Sequence, residues 1–151
     1  MSTKAEKAKK YFEEGYNCCQ AVVLAFEDEM KIDKNAALSI SSSFGGGIGR
    51  LREVCGAVSG MCIVLGALCG YTSPEATTEK ANHYKLIQDA AHKFEEKNGS
   101  IICRVLTGME KGSHIPEVRS QEYYQKRPCA LLVYDAAEIL ETIIKEMEIK
   151  K

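Results

Sequence analysis

Seven cysteines are the residues of this chain with the most distinctive chemistry. Four of them are expected at the starts of helices, namely Cys18, Cys55, Cys103 and Cys129. Asn17 precedes the first of these and Pro128 the last, and both residue types commonly begin a helix. A helix N-terminus carries partial positive charge, so it lowers the pKa of a thiol there and favours the thiolate. Since the thiolate binds metals and attacks disulfides, the pattern predicts metal or redox chemistry.

The spacing of the cysteines excludes several common motifs. No two of them are separated by two residues, so C-x-x-C is absent. This removes the thioredoxin-like redox motif, the common zinc-finger knuckle and covalent c-type haem attachment. A shared site must therefore take its cysteines from separate elements of the fold, as helical bundles do when facing helices build a site.

The other three cysteines are expected outside the site. Cys62 and Cys69 follow Cys55 at intervals of seven residues and share one face of a helix. A rise of ~1.5 Å per residue puts about 10 Å between neighbours, so one small metal centre cannot take all three. We therefore expect Cys62 and Cys69 to be small core residues. Cys18 and Cys19 diverge by roughly 100° around a helix. We assign Cys18 to the site, although the sequence leaves the choice between these two open.

Composition and length describe one ordinary globular domain, which we assign to residues 1–151. Hydrophobic residues make up 45% of the chain and charged residues 27%, with a net charge of −1. This balance gives no reason to expect binding to nucleic acid or to an anionic membrane surface. The N-terminal residues are polar and lysine-rich, without a secretion signal, and the cysteine count is odd. We therefore expect a cytoplasmic location, where thiols stay reduced and structural disulfides do not form.

One segment, Val54–Tyr71, carries no charged residue. It is rich in glycine, alanine and cysteine, and it reaches only the short limit of a membrane span, roughly 17–25 residues. We expect no membrane insertion and interpret the segment as a central helix buried on all sides. Gly56 and Gly60 would let a neighbouring backbone approach this helix closely.

Apolar residues recur with a helical period along most of the chain, and no strand pattern is found. Glycine, proline and capping residues divide the pattern into predicted helices: Lys4–Glu14, Cys18–Met30, Lys34–Ser43, Arg52–Gly70, Pro74–Lys97, Ile101–Leu106, Pro116–Lys126 and a last helix from Pro128. Asn17, Asp33, Ser73 and Ser100 are the expected caps. The sequence thus predicts an all-α, single-domain bundle of about six to eight helices around the Gly/Ala/Cys-rich one.

A glycine-rich loop, Gly45–Gly49, precedes the uncharged segment. It lacks the preceding strand and the Gly-Lys-Ser/Thr sequence of a phosphate-binding loop. We interpret it as a tight turn that lets the chain pass close to the site. Arg50 and Arg52 follow it and could hold a thiolate or an anionic ligand, although arginines near a helix start usually point into solvent.

Histidines and tyrosines supply few further candidates. His83, His92 and His114 fit no metal-binding motif, so we expect them on the solvated surface. Tyr123 and Tyr124 fit packing against the core or over the site. The same tyrosines, with the short helix that carries them, also favour a homodimer.

Four segments each contain one of the predicted site cysteines: GYNCCQAVVLAF (Gly15–Phe26), VCGAVSG (Val54–Gly60), GSIICRVL (Gly99–Leu106) and PCALLV (Pro128–Val133). In this order they resemble the family of redox-active proteins named for its C_GCAxxG_C_C pattern. The resemblance covers nearly the whole chain. The sequence departs from the name in having Cys-Gly-Ala after Val54, where the name reads Gly-Cys-Ala.

The resemblance implies redox activity, which is inferred in the family from its cysteines. It also places the chain in a family that is common in anaerobic bacteria and archaea. It carries the family's site over to Cys18, Cys55, Cys103 and Cys129. Related domains hold an iron–sulfur cluster in some electron-transfer proteins. Four thiolates without a histidine suit both [2Fe–2S] and [4Fe–4S] clusters, and they suit structural Zn²⁺ equally well.

Three functions therefore stay open from the sequence. The first hypothesis is a cluster, [2Fe–2S] by preference, that serves electron transfer with a redox partner protein. The second is a cytosolic thiol–disulfide oxidoreductase that uses a pair of the same cysteines. The third is a helical domain whose zinc ion is purely structural.

Overall fold

The chain folds into α-helices that pack around one apolar core, in a computed structural model that describes residues 3–149. Nine helices lie in this range: α1 (Lys4–Glu13), α2 (Cys18–Ala25), α3 (Glu27–Met30), α4 (Lys34–Ser41), α5 (Gly56–Cys69), α6 (Thr77–Asn98), α7 (Cys103–Thr107), α8 (Gln121–Lys126) and α9 (Cys129–Ile149). A short 3₁₀ turn, Ser42–Phe44, follows α4. The described range contains no strand, so the predicted all-α class is confirmed.

Side-chain caps begin the first helices where the sequence predicts them. Asn17 accepts a hydrogen bond from the backbone N–H of Gln20, and the Gln20 side chain accepts one from the N–H of Asn17. This reciprocal pair is a capping box, which fixes the start of α2. Asp33 caps α4 by accepting from the N–H of Ala36.

The predicted helix from Cys18 to Met30 is wrong as one element, because the chain breaks it at Phe26. The N–H of Phe26 bonds to the carbonyl of Val23, three residues back, so the helix tightens and ends there. The short α3 then closes at Lys31, whose φ of 57° is left-handed. This division accounts for one helix more than the highest number predicted.

Two serines predicted to be helix caps close local turns instead. Ser73 accepts from the N–H of Glu75, and Ser100 accepts from the N–H of Ile102. A serine bonded to the N–H two residues ahead forms a turn and leaves the helix N-terminus uncapped. Helix α6 therefore begins at Thr77 rather than at the predicted proline, and α7 begins at the cysteine that follows Ile102.

Two further predicted starts lie too early in the chain. Arg52 has a φ of 61°, which a right-handed helix cannot include, so α5 begins only at Gly56. The segment after Pro116 is irregular until Ser120 caps α8 by accepting from the N–H of Tyr123. In both places the extra loop residues become part of the site described below.

Helices α1, α2, α5 and α9 pack together and enclose the core. The fully buried side chains include Phe12 of α1, Val22 of α2, Leu65 of α5 and Leu140 of α9. Helix α6 covers this group from one side, where it packs on α5 and α9. The close packing holds the N-terminal ends of α2, α5 and α9 as fixed points for a site.

Helix α5 is the central helix that the sequence predicts, and its glycines let α2 approach it. A Cβ atom at Gly60 would lie 2.8 Å from the Cβ of Val22. The last turn of α5 leaves the core, however, so Cys69 is exposed. Cys62, in the middle of the helix, is half-buried. Their predicted role as core residues is wrong for Cys69, because helix α5 emerges from the core before it ends. Within residues 3–149, no helix combines the length and the apolarity that crossing a membrane requires.

Candidate functional site

The four cysteines of the predicted site line one cavity of about 460 Å³, which we call the thiol cavity. They reach it from four separate helix starts: Cys18, Cys103 and Cys129 are the first residues of α2, α7 and α9, and Cys55 directly precedes α5. Arg50, Arg52, Arg119 and Arg127 line the same cavity. The predicted placement of these thiols at helix starts is therefore what the structure has.

A short antiparallel pairing holds two of the thiols side by side. Val54 and Ile102 form an isolated β-bridge, each one residue before a cysteine. The N–H of Cys55 bonds to the carbonyl of Ile101 at 2.8 Å, and the N–H of Cys103 bonds to the carbonyl of Glu53 at 2.6 Å. Because the bridge ends where both helices begin, the two thiols enter the cavity from adjacent backbones.

Gly56 brings the third thiol next to these two. A Cβ atom at Gly56 would lie 3.1 Å from the Cβ of Cys18 and 2.9 Å from the carbonyl oxygen of Phe44. Such distances are shorter than ordinary packing allows, so only glycine lets the start of α5 lie against the start of α2. The glycine that follows Cys55 in the motif thus has a geometric role in the site.

The glycine-rich loop forms a left-handed turn along the wall of the cavity. Residues 46–50 all have positive φ angles, between 53° and 71°. Ile48 and Arg50 are strained in this conformation, since a left-handed residue other than glycine costs roughly 1–2 kcal/mol. A Cβ at Gly47 would lie 2.7 Å from the Cβ of Cys103. The loop therefore passes against the site, and strain of this kind concentrates at functional sites.

Arg52 is buried beside the thiols, contrary to its expected place in solvent. Its side chain is 3% exposed, and its Nη1 lies 3.8 Å from the sulfur of Cys103. Its Nη2 lies 4.0 Å from a carboxylate oxygen of Glu117, and its Nε has no hydrogen-bond partner among the described residues. The left-handed turn redirects the chain so that this arginine points inward rather than outward.

Arg50 is also mostly buried, with 17% of its side chain exposed. Its guanidinium donates hydrogen bonds to the carbonyls of Ser113 and Ile115. These residues lie in the segment between α7 and α8, residues 108–120, which we call the strap. Arg50 thus ties the strap to the glycine-rich turn across the mouth of the cavity.

Three charged residues of the site have no signal in the sequence. Arg127 pairs with Glu117, and its charge lowers the pKa of the Cys129 thiol. Arg119 stacks on the ring of Phe12 at 4.2 Å and donates to two carbonyls of the α1 region. Their partners lie far along the chain, so only tertiary contacts identify them.

Cys18 and Cys129 are neighbours in the cavity, and hydrogen bonding between the two thiols shifts the pKa of each. This hydrogen bond, with burial, raises the pKa of Cys18 well above its usual range. The same hydrogen bond, with the nearby charges of Arg127 and Arg119, lowers the pKa of Cys129 to about 7. The pKa values of the two thiols therefore move in opposite directions, and Cys129 is the one that ionises first as the pH rises.

Burial raises the pKa of Cys55 to about 12, although it lies at a helix start. The N–H groups of Ala57 and Val58 face its sulfur and act in the opposite direction, but neither forms a regular capping hydrogen bond. The prediction that helix starts prepare these cysteines as thiolates is therefore wrong for Cys55 and Cys18. Desolvation disfavours the charged form more strongly than a helix terminus favours it.

Of the two adjacent cysteines, the structure places Cys18 at the cavity. Cys19 is fully buried in the apolar core and is not among the residues that line the cavity. Burial and the neighbouring thiols of Cys62 and Cys55 raise its pKa to about 12. Cys19 is thus a core residue, and the structure settles the choice between the two cysteines that the sequence leaves open.

The thiols surround the cavity without meeting at one point. Within residues 3–149, no group of three or more histidine, cysteine, aspartate or glutamate side chains is arranged to hold a single metal ion. The cysteines of the described range are all free thiols. The geometry is therefore that of an open four-thiol wall rather than a closed tetrahedral site.

The histidines and tyrosines differ in part from their predictions. His92 and His114 are exposed as expected, but His83 is half-buried, and His114 lies at the cavity. Tyr123 and Tyr124 are half-buried and pack on the core, with Arg119 close to both rings. They do not form the exposed surface on which the expectation of a homodimer was based.

Within the described residues, an all-helical fold brings four thiols and four arginines to one cavity. Residues 16–143 match the model of the family described as "Putative redox-active protein (C_GCAxxG_C_C)". The match spans most of the chain, and the chain belongs to this family, as the four cysteine segments predict. No curated protein and no solved structure matches the chain significantly.

Proposed function

We propose that the chain binds an iron–sulfur cluster through four thiolates and uses it for electron transfer with a partner protein. The ligands would be Cys18, Cys55, Cys103 and Cys129. The observation that carries the proposal is the meeting of these thiols, from four separate segments, at one cavity. Redox activity is the property in the family's description. A bound cluster would supply one-electron transfer there.

The arrangement of the thiols favours a cluster over a single ion. No described group is arranged around one metal position, whereas a cavity of about 460 Å³ has room for several atoms. A cluster holds its cysteines around a core of iron and sulfide, so its ligands stand farther apart than the ligands of one zinc ion. Four cysteines suit both [2Fe–2S] and [4Fe–4S], and [2Fe–2S] is the cluster type that we propose.

The arginines of the cavity fit an anionic occupant. Four thiolates around a cluster carry net negative charge, and buried charge requires a partner of opposite sign. Arg52 lies beside Cys103, and the charge of Arg127 lowers the pKa of Cys129. These two guanidinium groups would therefore offset the charge of two ligands while the cavity walls exclude water.

Backbone N–H groups add to this effect at the helix starts. The N–H groups of Ala57 and Val58 face the sulfur of Cys55. Hydrogen bonds and dipoles directed at cluster ligands raise or lower a cluster's potential, depending on its charge and exposure. The chain's contribution to electron transfer would be to hold the ligands, shield them and set this potential.

Anaerobic purification tests the proposal. The protein should be coloured and contain iron and acid-labile sulfide, and Cys103→Ala should lose most of the iron because one ligand is missing. Cys69→Ala is the matched control, since this thiol is exposed and lies outside the cavity lining, so its iron content should be unchanged. Colourless protein with neither iron nor sulfide after anaerobic reconstitution would contradict the proposal. Zinc as the sole metal would instead support the structural zinc site.

A thiol–disulfide oxidoreductase is the second candidate, and the hydrogen bond between Cys18 and Cys129 favours it. The Cys129 thiolate would attack a substrate disulfide, break its S–S bond and release one substrate thiolate, which takes the proton of Cys18. The Cys18 thiolate would then attack the sulfur of Cys129 in the mixed disulfide, release the second substrate thiolate, which takes a proton from water, and close a Cys18–Cys129 disulfide. Two electrons pass from the cysteine pair to the substrate.

Counting free thiols tests this alternative. Mild oxidation of the metal-free protein should remove two free thiols, and dithiothreitol should restore them. Cys129→Ser should abolish the change, whereas Cys69→Ala should preserve it. An unchanged thiol count on oxidation rejects the oxidoreductase, independently of the iron analysis.

A further inference from the structure

The thiol cavity has a second end, which is formed by arginines. Arg50, Arg52 and Arg127 all pair with the carboxylate of Glu117. We propose that this end binds the oxyanion group of a small molecule, either a carboxylate or a phosphate. In the free protein, the side chain of Glu117 holds that place.

The charge balance of the cavity supports an anionic ligand. Four arginines line it, and Glu117 is the single carboxylate among the described lining residues. Three of the four guanidinium groups share this one carboxylate. Because a buried cation without its own partner is costly, the site gains from a ligand that brings more negative charge than one glutamate.

Arg52 supplies the buried donor that such a site needs. It is 3% exposed, and its Nε has no partner among the described residues. Its Nη2 lies 4.0 Å from Glu117, which is longer than a direct hydrogen bond. A guanidinium presents donors in a planar fork that matches carboxylate and phosphate oxygens, so the unused donors of Arg52 are suited to either group.

Glu117 is placed so that a ligand can displace it. Its side chain is 39% exposed at the mouth of the cavity, whereas the side chains of Arg52 and Arg127 are 3% and 10% exposed. Other hydrogen bonds hold the strap that carries Glu117. Arg50 donates to the carbonyl of Ser113 in the strap, and Arg119 of the strap donates to the carbonyls of Phe12 and Tyr16. The carboxylate can therefore turn away while the strap stays in place.

The proposed anion site is joined to the thiols. Arg52 lies between Cys103 and Glu117, and Arg127 lies between Cys129 and Glu117. An anion in the place of Glu117 would thus be separated from two of the thiols by one guanidinium group each. The proposal concerns the arginine end, and a cluster on the thiols would share Arg52 and Arg127 with the anion.

Titration of the full-length protein with inorganic phosphate and, separately, with succinate tests the site. Calorimetry gives the affinity, and the NMR signals of arginine Nε–H groups report which guanidinium groups are contacted. Glu117→Gln should bind at least one probe about tenfold more tightly than the wild type, because the competing charge is removed. Glu53→Gln is the matched control, since this exposed carboxylate pairs with Arg104 outside the cavity lining, and its affinity should equal that of the wild type.

A double variant identifies the donor. Arg52→Gln combined with Glu117→Gln should lose the gain, whereas Arg104→Gln combined with Glu117→Gln should keep it. Tighter binding of phosphate alone or of succinate alone assigns the chemical class of the ligand. Equal affinity of Glu117→Gln and the wild type overturns the proposal, as does a double Arg52 variant that binds tightly. If the double variant Arg52→Gln with Glu117→Gln does not fold, the affinities of Glu117→Gln and Glu53→Gln decide whether the anion site exists. Iron analysis reports separately on the cluster.

Discussion

At the scale of single residues, the pKa of each thiol in the cavity reflects a competition between burial and local charge. Cys55 lies at a helix start, and burial still raises its pKa to about 12. Cys129 lies at another helix start, but a hydrogen bond from Cys18 and the charge of Arg127 lower its pKa to about 7. A helix terminus offers only partial charge, so a donor or a full cation decides the outcome for a buried thiol.

The first prediction concerns this pair. Cys18→Ala should raise the pKa of Cys129 from about 7 toward its ordinary value of 9.0, because the largest cause of the lowering is removed. The rate of alkylation of Cys129 in the reduced, metal-free protein, followed by peptide mass spectrometry against pH, measures this pKa. Cys19→Ala, which changes a core thiol outside the cavity lining, should leave the profile unchanged. The same profile in Cys18→Ala and the wild type would show that the hydrogen bond has no such effect.

At the scale of elements, close backbone approaches bring the helix starts together. Gly60 lets α2 lie against α5, and Gly47 lets the left-handed turn lie against Cys103. Each contact leaves no room for a methyl group, so the spacing of elements depends on the absence of a side chain. The site is therefore sensitive to changes that touch no cysteine.

The second prediction tests the contact between α2 and α5. Gly60→Ala should lower the free energy of unfolding by about 1–3 kcal/mol, because its methyl group would press on Val22. Gly66→Ala is the matched control in the same helix, since no atom lies within 4 Å of its added Cβ. That change should raise the free energy of unfolding by about 0.5–1 kcal/mol through helix propensity. Urea unfolding measures both, and equal effects would contradict the close contact.

The third prediction tests the left-handed turn. Gly47→Ala and Gly49→Ala place a side chain on backbones of similar positive φ, 71° and 53°, so both should cost roughly 1–2 kcal/mol in strain. Gly47→Ala should destabilise further and reduce the iron content, because its Cβ would lie 2.7 Å from the Cβ of Cys103. Gly49 has open space around an added Cβ, so its variant should keep the iron. Equal stability and iron content in the two variants would contradict a role of this contact in placing Cys103.

At the scale of the whole molecule, the buried thiols make folding depend on pH. Cys19 and Cys55 have a pKa of about 12 in the folded protein and about 9.0 when exposed on unfolding. Because folding raises the pKa, each neutral thiol contributes its full stabilisation below pH 9, and this contribution is lost as the pH rises toward 12. Cys129 acts in the opposite sense, since its contribution is present above pH 9 and is lost as the pH falls through about 7.

The fourth prediction follows for the reduced, metal-free protein. Between pH 9 and 12, each pH unit should lower the free energy of unfolding by about 1.4 kcal/mol for each buried neutral thiol. Cys19→Ala should make this dependence less steep by the contribution of one thiol. Thermal unfolding followed by circular dichroism at a series of pH values measures the slope. An identical slope in Cys19→Ala and the wild type would contradict the assignment.

Local rules of the chain were enough to predict much of this protein. Helical periodicity predicts the all-α bundle, and the side chains of Asn17 and Asp33 cap their helices because capping needs only neighbouring residues. The serines at 73 and 100 failed as caps for a local reason too, because each bonds two residues ahead. The motif around Cys55 and the order of the cysteine segments were sufficient to predict the family.

The sequence by itself therefore determined the all-α class, the family and which cysteines stand at helix starts. Only the tertiary structure decided what surrounds them, because Arg52, Glu117 and Arg127 meet through contacts between distant segments. It also decided that Cys18 rather than Cys19 lines the cavity, since that depends on how α2 rotates against α5. Protonation followed from the same packing: burial and charged neighbours are properties of the folded chain, and no spacing along the sequence contains them.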